Sequence, residues 1–443
     1  MCTISIAQQN HCTIGVLLYS MQMSNARKLK IGSPATGHNF YPRNDLRRRI
    51  LRALSRDHVA FLGPRRTGKT SILLDIAENP PEGIVAINLD LQGLRSIPAW
   101  LKLMLDATKR LVSTPKTGIS GYVKTAGRNA WGITSSAANS VLKRIDELTI
   151  AGNGIKLNHG QPAVDDWQPI ADGFLALLKE HQLPIYFLLD EFPWFLGHVA
   201  ANHSAAEVDA ALNWFRKMRL ELTDMQARFL VTGSIGLTGL LRRLNLHPSA
   251  NDFDEIEIEP LTSSEAIEFM KEFAAGEGIP VQPSEIQQIH NRIGVGWPIL
   301  LATFLSEIQE HCTSNPVTSA EIDDIYENRM VRGTRNKYCT EMMSRLSKDE
   351  LFTPSERRLA QEILKQLARE TSPFGSTQLE GIHARLVPDS TQRLLVAVDL
   401  DVVVETLLHD GYIIRLRSED PEQDGRLRFA SNILRDFWRY RTV

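Results

Sequence analysis

Gly63-Pro64-Arg65-Arg66-Thr67-Gly68-Lys69-Thr70 spaces two glycines, a lysine and a threonine as G-x-x-x-x-G-K-T. That arrangement suits phosphate. Glycines let the backbone wrap closely around phosphate oxygens. A helix opening at the end of the loop points free N–H groups and its positive dipole end at the same anion. Lys69 is expected to reach the β- and γ-phosphates, and the Thr70 hydroxyl to ligate Mg²⁺. Gly63, Pro64, Arg65, Arg66, Thr67, Gly68, Lys69, Thr70 and Ser71 therefore form the expected nucleotide-binding stretch. The plain alternative is a glycine-rich turn with an incidental lysine. An apolar run before the loop and a helical pattern after it weigh against that.

A second group of residues fits the same chemistry. Ile185-Tyr186-Phe187-Leu188-Leu189 is an apolar run that ends in Asp190-Glu191, about 120 residues after the loop. A carboxylate at the C-terminal end of a strand beside the first one can hold the Mg²⁺ shell. The next carboxylate can polarise an attacking water. Asp190 is assigned to the metal and Glu191 to the water. A third strand-like run, Arg228 to Ser234, ends in small polar residues. Thr232 or Ser234 would then report the γ-phosphate, and Ser234 is counted among the catalytic candidates.

These residues need strands to hold them. Val59 to Leu62, Ile84 to Leu89, Ile185 to Leu189 and Arg228 to Thr232 read as strands. Helical patterns over Thr70 to Glu78, Ala99 to Val112, Gly173 to Glu180 and Val208 to Leu222 alternate with them. Asn139 to Leu148 reads as a further helix, and Gly154 to Leu157 as a short strand or hairpin arm. Alternation of this kind predicts an α/β fold, a parallel sheet with helices on both faces. Residues 113–137 are rich in Gly, Ser and Thr and read as an insertion. After Pro260 the pattern turns helical up to about Leu346. The last ninety residues read as helices followed by a hairpin.

The chain has 443 residues, 43% hydrophobic and 23% charged, an ordinary globular mix that excludes a mostly disordered or fibrous chain. Its net charge of −2 excludes a uniformly basic nucleic-acid coat. The total hides an uneven distribution. Residues 24–56 carry nine basic groups against Asp45, and residues 252–285 carry ten acids against Lys271. Cys2, Cys12, Cys312 and Cys339 have no metal-ligand spacing and are too few for a disulfide scaffold, which fits a reducing cytoplasm. No run of 18 apolar residues would cross a membrane. The twelve histidines show no ligand spacing.

The run Phe61 to Leu73, FLGPRRTGKTSIL, resembles the archaeal-type ATPases, AAA+-related P-loop proteins close to the STAND signalling ATPases. Phe40-Tyr41-Pro42-Arg43 resembles the segment that flanks the adenine in that family, which often has Gly in place of Pro42. Asp190-Glu191-Phe192-Pro193-Trp194 resembles its extended Walker B, and Gly233-Ser234-Ile235-Gly236-Leu237 its sensor-1 region. Ile258-Glu259-Pro260-Leu261 with Glu265-Ala266 resembles the start of its helical lid, and Gly296-Trp297-Pro298 the lid's G-x-P motif. Phe429 with Leu434-Arg435-Asp436-Phe437-Trp438 resembles its closing segment.

The resemblance implies a P-loop ATPase core over 37–245, with an insertion near 113–165. A helical lid over 246–345 and a winged-helix-like domain over 346–443 would follow. Residues 1–36 would precede the core as a poorly ordered tail. It also implies ATP as substrate, Mg²⁺, and Tyr41 and Pro298 as nucleotide contacts. The G-x-P motif carries no sensor-2 arginine, and Arg292 lies four residues earlier. Arg216, Arg219, Arg242 and Arg243 are candidates for an arginine acting in a second copy.

The C-terminal domain reads the same way from its own residues. A helix over Ser355 to Ala368 and another over Val396 to Leu408 precede a hairpin of Tyr412 to Leu416 with Arg426 to Phe429. Its tip holds Glu419, Asp420, Glu422 and Asp424, which repel phosphate. Its arms hold Arg415, Arg417, Arg426 and Arg428, which attract it. Such a domain binds DNA or docks protein, and the acidic tip leans toward protein.

The expected function is an ATP-hydrolysing, nucleotide-dependent switch, slow without a partner or a homo-oligomer. The alternative is a nucleic-acid-directed ATPase of mobile-element or phage-defence machinery, motivated by the basic stretch and the winged helix. Arg48 and Arg52 are i, i+4 neighbours on one predicted helix face. They would either hold phosphate backbone or pair with the acidic stretch 252–285, fastening lid to core.

Overall fold

The computed structural model describes residues 26–113, 135–153, 167–222, 227–233, 237–244, 246, 253–347, 352–370, 372–386, 399–416, 418–420 and 423–442. Five parallel strands form the sheet: β1 (Val59–Leu62), β2 (Val85–Asp90), β3 (Ile185–Asp190), β4 (Arg228–Gly233) and β5 (Asp254–Glu257). Their order is β2-β3-β4-β1-β5. β1, β3 and β4 are buried along their whole length, as their mainly apolar sequences require in a sheet covered on both faces.

Two sequence expectations change here. Asp190 was expected on a strand beside β1. Instead β4 lies between them, pairing Leu62 with Gly233 on one side and Leu189 with Val231 on the other. The second change is β5, which has no apolar run to announce it. Its sequence is Asp-Glu-Ile-Glu, and only Ile256 turns inward. It is an edge strand that pairs with β1 alone, so its other residues stay in water.

Alternation along the strands divides the apolar side chains between two faces. Phe61, Leu188 and Leu230 face one core, together with the helices Asn44–Leu54 and Lys69–Glu78. In Asn44–Leu54 the residues Leu46, Ile50, Ala53 and Leu54 are buried, at helical spacing, and the arginines take the other side. Leu62, Phe187, Leu189, Phe229 and Val231 face the second core, against the helices Ile97–Ser113, Gln168–His181 and Ala205–Glu221. Trp100 centres that core, with ring centroids 5.2–5.6 Å from Phe192, Phe195 and Phe215.

Beyond β5 the chain is helical. Ser263–Glu277 begins at a capping box of Thr262 and Glu265. Pro283–Ile293, Pro298–His311 and Ser319–Asp324 follow, the last running into a π-helical stretch, Ile325–Val331. Lys337–Arg345, Pro354–Arg369, Ser376–Leu386 and Leu400–His409 come next. Strands β6 (Ile413–Arg415) and β7 (Leu427–Phe429) pair antiparallel, Phe374 bridges to Leu427, and Asn432–Thr442 closes the chain. The apolar side chains from 258 onward join the first core without a break.

Of the expected N-terminal tail, residues 1–25 lie outside the described residues, as does the expected strand Gly154 to Leu157. Residues 27–29 are held on the helix Ser263–Glu277 in place of a loose tail. Arg27 Nε donates to Glu272 Oε2 at 2.9 Å, Lys28 Nζ to Gly276 O at 2.6 Å, and the Leu29 N–H to Glu277 Oε1 at 2.8 Å. The acids that hold this segment belong to the acidic stretch 252–285. Among the described residues no helix is long and apolar enough to cross a membrane.

Candidate nucleotide-binding site

The loop between β1 and the helix Lys69–Glu78 closes on itself. Gly63 sits at φ 149°, and a Cβ there would lie 2.5 Å from Ile258 Cγ2 on the β5 side. Gly68 sits at φ 100° and caps the helix. Both conformations exclude ordinary side chains. Lys69 is buried, and its Nζ donates to Gly63 O at 2.8 Å and Pro64 O at 2.6 Å. Thr67 Oγ1 donates to Pro64 O as well, at 2.8 Å. Burial lowers the Lys69 ammonium from 10.5 to about 8, against the opposing pull of the Glu191 and Asp190 carboxylates.

Asp190 is the hub beside the loop. Thr70 Oγ1 donates to its Oδ2 at 2.7 Å, and Thr232 Oγ1 to its Oδ1 at 3.1 Å. The Glu191 N–H reaches the same Oδ1 at 3.1 Å. The register of β4 between β1 and β3 sets this. It places Thr232 at the strand end facing Asp190, so the extra strand brings a hydroxyl into the site. Of the two polar residues considered from the sequence, Thr232 meets the acid, while Ser234 lies outside the described residues. Glu191 has a left-handed backbone, φ 58° and ψ 35°, where β3 turns into the helix Phe192–Asn202. For a non-glycine residue this costs on the order of 1–3 kcal/mol, a strain that recurs at functional sites.

A cavity of about 490 Å³ opens over the loop, a size that suits a small-molecule ligand. Its floor is Arg65 to Ser71, with Gln92 and Glu191 beside it. Its far wall is apolar: Tyr41, Phe269, Phe273, Pro298 and Ile299. Residues 29–35 form part of the lining. The Tyr41 ring meets Phe269 edge-on at 5.3 Å, and its hydroxyl donates to Glu268 Oε2 at 3.3 Å. Burial and the Glu268 charge push that phenol up. Tyr41 and Pro298, 257 positions apart in the sequence, thus line one wall.

Other candidates fall elsewhere. Arg292 Nη2 pairs with Asp323 Oδ1 at 2.7 Å, and Arg292 is not among the residues lining the cavity. Arg219 is 1% exposed and sits between Phe215 and Phe253, with its guanidinium carbon 4.5 and 4.0 Å from the ring centres. This burial removes it as an arginine offered to a second copy. The side chains of Arg242 and Arg243 lie outside the described residues. One lining residue carries no sequence signal at all. Glu341, from the helix Lys337–Arg345, reaches the loop and pairs with both Arg65 and Arg66.

No protein-family model matches the chain. No curated protein matches it either. Among solved structures it is similar to the Walker-type ATPase of Pyrococcus abyssi, with a TM-score of 0.55 and 15% identity over 93% of this chain and 99% of that one. It also aligns with the ORC2 protein of Aeropyrum pernix, at a TM-score of 0.47 and 13% identity over 90% of this chain and 93% of that one. A third alignment is with the Thermotoga maritima RuvB Holliday junction branch migration motor, at 0.37 and 15% over 89% and 94%. The sheet order, the loop after β1 and the first of these likenesses give the fold: an α/β P-loop NTPase.

Proposed function

We propose that this P-loop fold binds ATP with Mg²⁺ and hydrolyses it, and that the nucleotide state sets how the C-terminal helices rest on the core. The observation that carries this reading is the Thr70–Asp190 contact beside Lys69, at the foot of the cavity. A hydroxyl and a carboxylate are hard oxygen ligands, the donor set that Mg²⁺ prefers. Thr70 and Asp190 would hold the ion, which neutralises phosphate charge when bound. Lys69 would exchange its two carbonyl partners for β- and γ-phosphate oxygens. The N–H groups at the start of Lys69–Glu78 already point the same way.

Glu191 would take a proton from the attacking water. The water oxygen bonds to the γ-phosphorus as the bond to the bridging oxygen breaks, and ADP leaves with that electron pair. Tyr41, Phe269 and Pro298 supply an apolar wall for the base. Ser234 remains a proposed reporter of the γ-phosphate beside Thr232. We assign the core to 37–245, the lid to 246–345 and a winged-helix-like domain to 346–443. A STAND-like switch is the finer reading, because the last helix of the lid pairs with the phosphate loop through Glu341 and the C-terminal part abuts the same loop at Gly411.

ATP turnover tests the proposal, measured for wild type, Lys69→Ala and Glu191→Gln from nanomolar to micromolar protein. Turnover lost in both variants supports it, and turnover unaffected by either removes it. Specific activity that rises with concentration would add an arginine supplied by a second copy. The nucleic-acid-directed alternative keeps one favouring observation. Arg48 is 74% exposed on the outer face of Asn44–Leu54, and Arg52 is exposed beside it.

A further inference from the structure

The phosphate loop is gripped by the last helix of the lid, Lys337–Arg345. Arg65 Nη1 donates to Glu341 Oε1 at 2.7 Å, and Arg66 Nε donates to Glu341 Oε2 at 2.6 Å. One carboxylate therefore engages two consecutive guanidinium groups of the loop, one through each oxygen. Burial raises the Glu341 carboxyl, but the hydrogen bonds from Arg66 and Arg65 outweigh it and leave its pKa lowered. The grip does not rest on Glu341 alone. Gly411, at φ 76°, lies so close to the loop that a Cβ would come within 2.5 Å of Pro64 Cγ. Next to it, Asp410 pairs with Arg345 at 3.4 Å, both nearly fully buried. Tyr412 Oη donates to Met342 O at 2.7 Å, joining the same helix to the start of the hairpin.

All three residues of the clamp line the cavity: Arg65, Arg66 and Glu341. An arginine keeps its charge at any working pH, and its planar fork matches carboxylate and phosphate alike. Two planar cations held by a carboxylate at the mouth of a phosphate loop present one site to two competing anions.

We propose that Glu341 is a positioning residue that stands in for phosphate: it and the γ-phosphate of the nucleotide compete for Arg65 and Arg66. Binding of that phosphate frees the helix Lys337–Arg345 and the 410–411 turn from the loop. This rests on the nucleotide reading above and gives it a readout, since whatever the C-terminal domain covers is uncovered only by a nucleotide with a γ-phosphate. By reciprocity, a carboxylate that opposes the ligand by some factor is itself displaced by that same factor.

The test measures affinity for a non-hydrolysable ATP analogue and for ADP, both with Mg²⁺, by calorimetry on the full chain. Glu341→Gln keeps the shape of the side chain and removes the competing charge. It should bind the analogue about tenfold more tightly than wild type, within the usual range for coupled sites. ADP affinity should stay within about threefold. In an Arg65→Gln/Arg66→Gln background the same substitution should have no effect, because the contested groups are gone. The analogue should also increase protease cleavage between the lid and the hairpin in wild type, and Glu341→Gln should show that cleavage without it. Circular dichroism checks the fold of each variant. If Glu341→Gln does not fold, Glu341→Asp, with a shorter reach, should show a smaller gain of the same sign.

Equal analogue affinity in wild type and Glu341→Gln overturns the competition and leaves the nucleotide reading standing. An equal gain for ADP and the analogue also overturns it, since the γ-phosphate would then play no part. If no variant binds either nucleotide, the nucleotide reading fails and takes this proposal with it.

Discussion

Thr70 Oγ1 and Asp190 Oδ2 stand 2.7 Å apart although 120 positions separate them in the chain. Neither strand that positions them touches the other. β4 fills the gap and contributes Thr232, whose hydroxyl holds the second oxygen of the same carboxylate. Thr232→Val is nearly isosteric and removes only that bond. An unmade buried hydrogen bond to a charge costs about 1–3 kcal/mol, here in the aim of Asp190. The variant should need more Mg²⁺ for half-maximal turnover, by about tenfold or more on that scale. A Mg²⁺ titration of turnover that superimposes on wild type would exclude Thr232 from the site.

Lys69 links affinity to pH. Its ammonium is lowered to about 8 by burial, and phosphate favours the charged form. Below that value the lysine is already charged, so ATP affinity should be flat. Above it, binding must draw in a proton, and affinity should fall about tenfold per pH unit. Lys69→Ala should bind more weakly at neutral pH, by about 10–100-fold for a lost charged hydrogen bond, and should lose this slope. Calorimetry at pH 7, 8 and 9, in buffers of different ionisation enthalpy, reads both the affinity and the proton uptake.

Glu191→Gln should leave ATP affinity nearly unchanged and slow turnover by about 10²–10⁴-fold, the usual worth of a general base. An amide keeps the shape but accepts a proton poorly. Wild-type turnover in this variant would assign the water to another group.

His58 sets an acid limit on stability. It is buried just before β1, with Nε2 3.1 Å from Arg219 O and Nδ1 3.1 Å from the Phe229 N–H. That pairing fits the neutral ring, with its proton on Nε2. Burial first, then the Arg219 charge, lowers its pKa from 6.5 to about 4. A depressed value contributes stability above the unfolded pKa that is lost as pH falls. Between pH 6.5 and 4 the loss should approach roughly 3 kcal/mol. Urea midpoints at pH 7.5, 5.5 and 4 follow it, and His58→Gln should flatten the curve. An unchanged slope in that variant would place the acid sensitivity elsewhere.

The basic helix Asn44–Leu54 divides between two roles. Arg49 Nη1 lies 3.6 Å from Glu259, Arg47 Nε lies 2.8 Å from Asp75, and Arg43 donates to Glu259 O. These arginines fasten the helix to its surroundings. Arg48 instead pairs with its own helix neighbour Asp45. Arg48→Glu with Arg52→Glu should therefore change the melting temperature little, since exposed pairs contribute about 0–1 kcal/mol. If the outer face holds nucleic acid, wild type should bind DNA with affinity that falls steeply as salt rises, and the double variant should lose that binding. Affinity that holds steady through severalfold more salt would exclude phosphate contacts there.

The phosphate loop, the two acids at the end of β3 and the parallel α/β architecture were legible in the chain because each depends on neighbours in sequence. A strand, a glycine-rich turn and a helix start are local events, and an apolar run ending in Asp190-Glu191 announces a buried strand and its tip. The hairpin of β6 and β7 was legible for the same reason. β5 was not, since three of its four residues are acids and only pairing with β1 makes it a strand. Nor was the choice of Thr232, because its meeting with Asp190 follows from β4 lying between β1 and β3, a matter of strand order that no spacing encodes. Residues 27–29 read as part of a loose tail because their partners, Glu272, Gly276 and Glu277, are some 245 positions away. Glu341 belongs to no motif. It meets Arg65 and Arg66 only because the C-terminal helices dock on the core, and that docking is settled by burial of apolar surface shared among elements far apart in the chain.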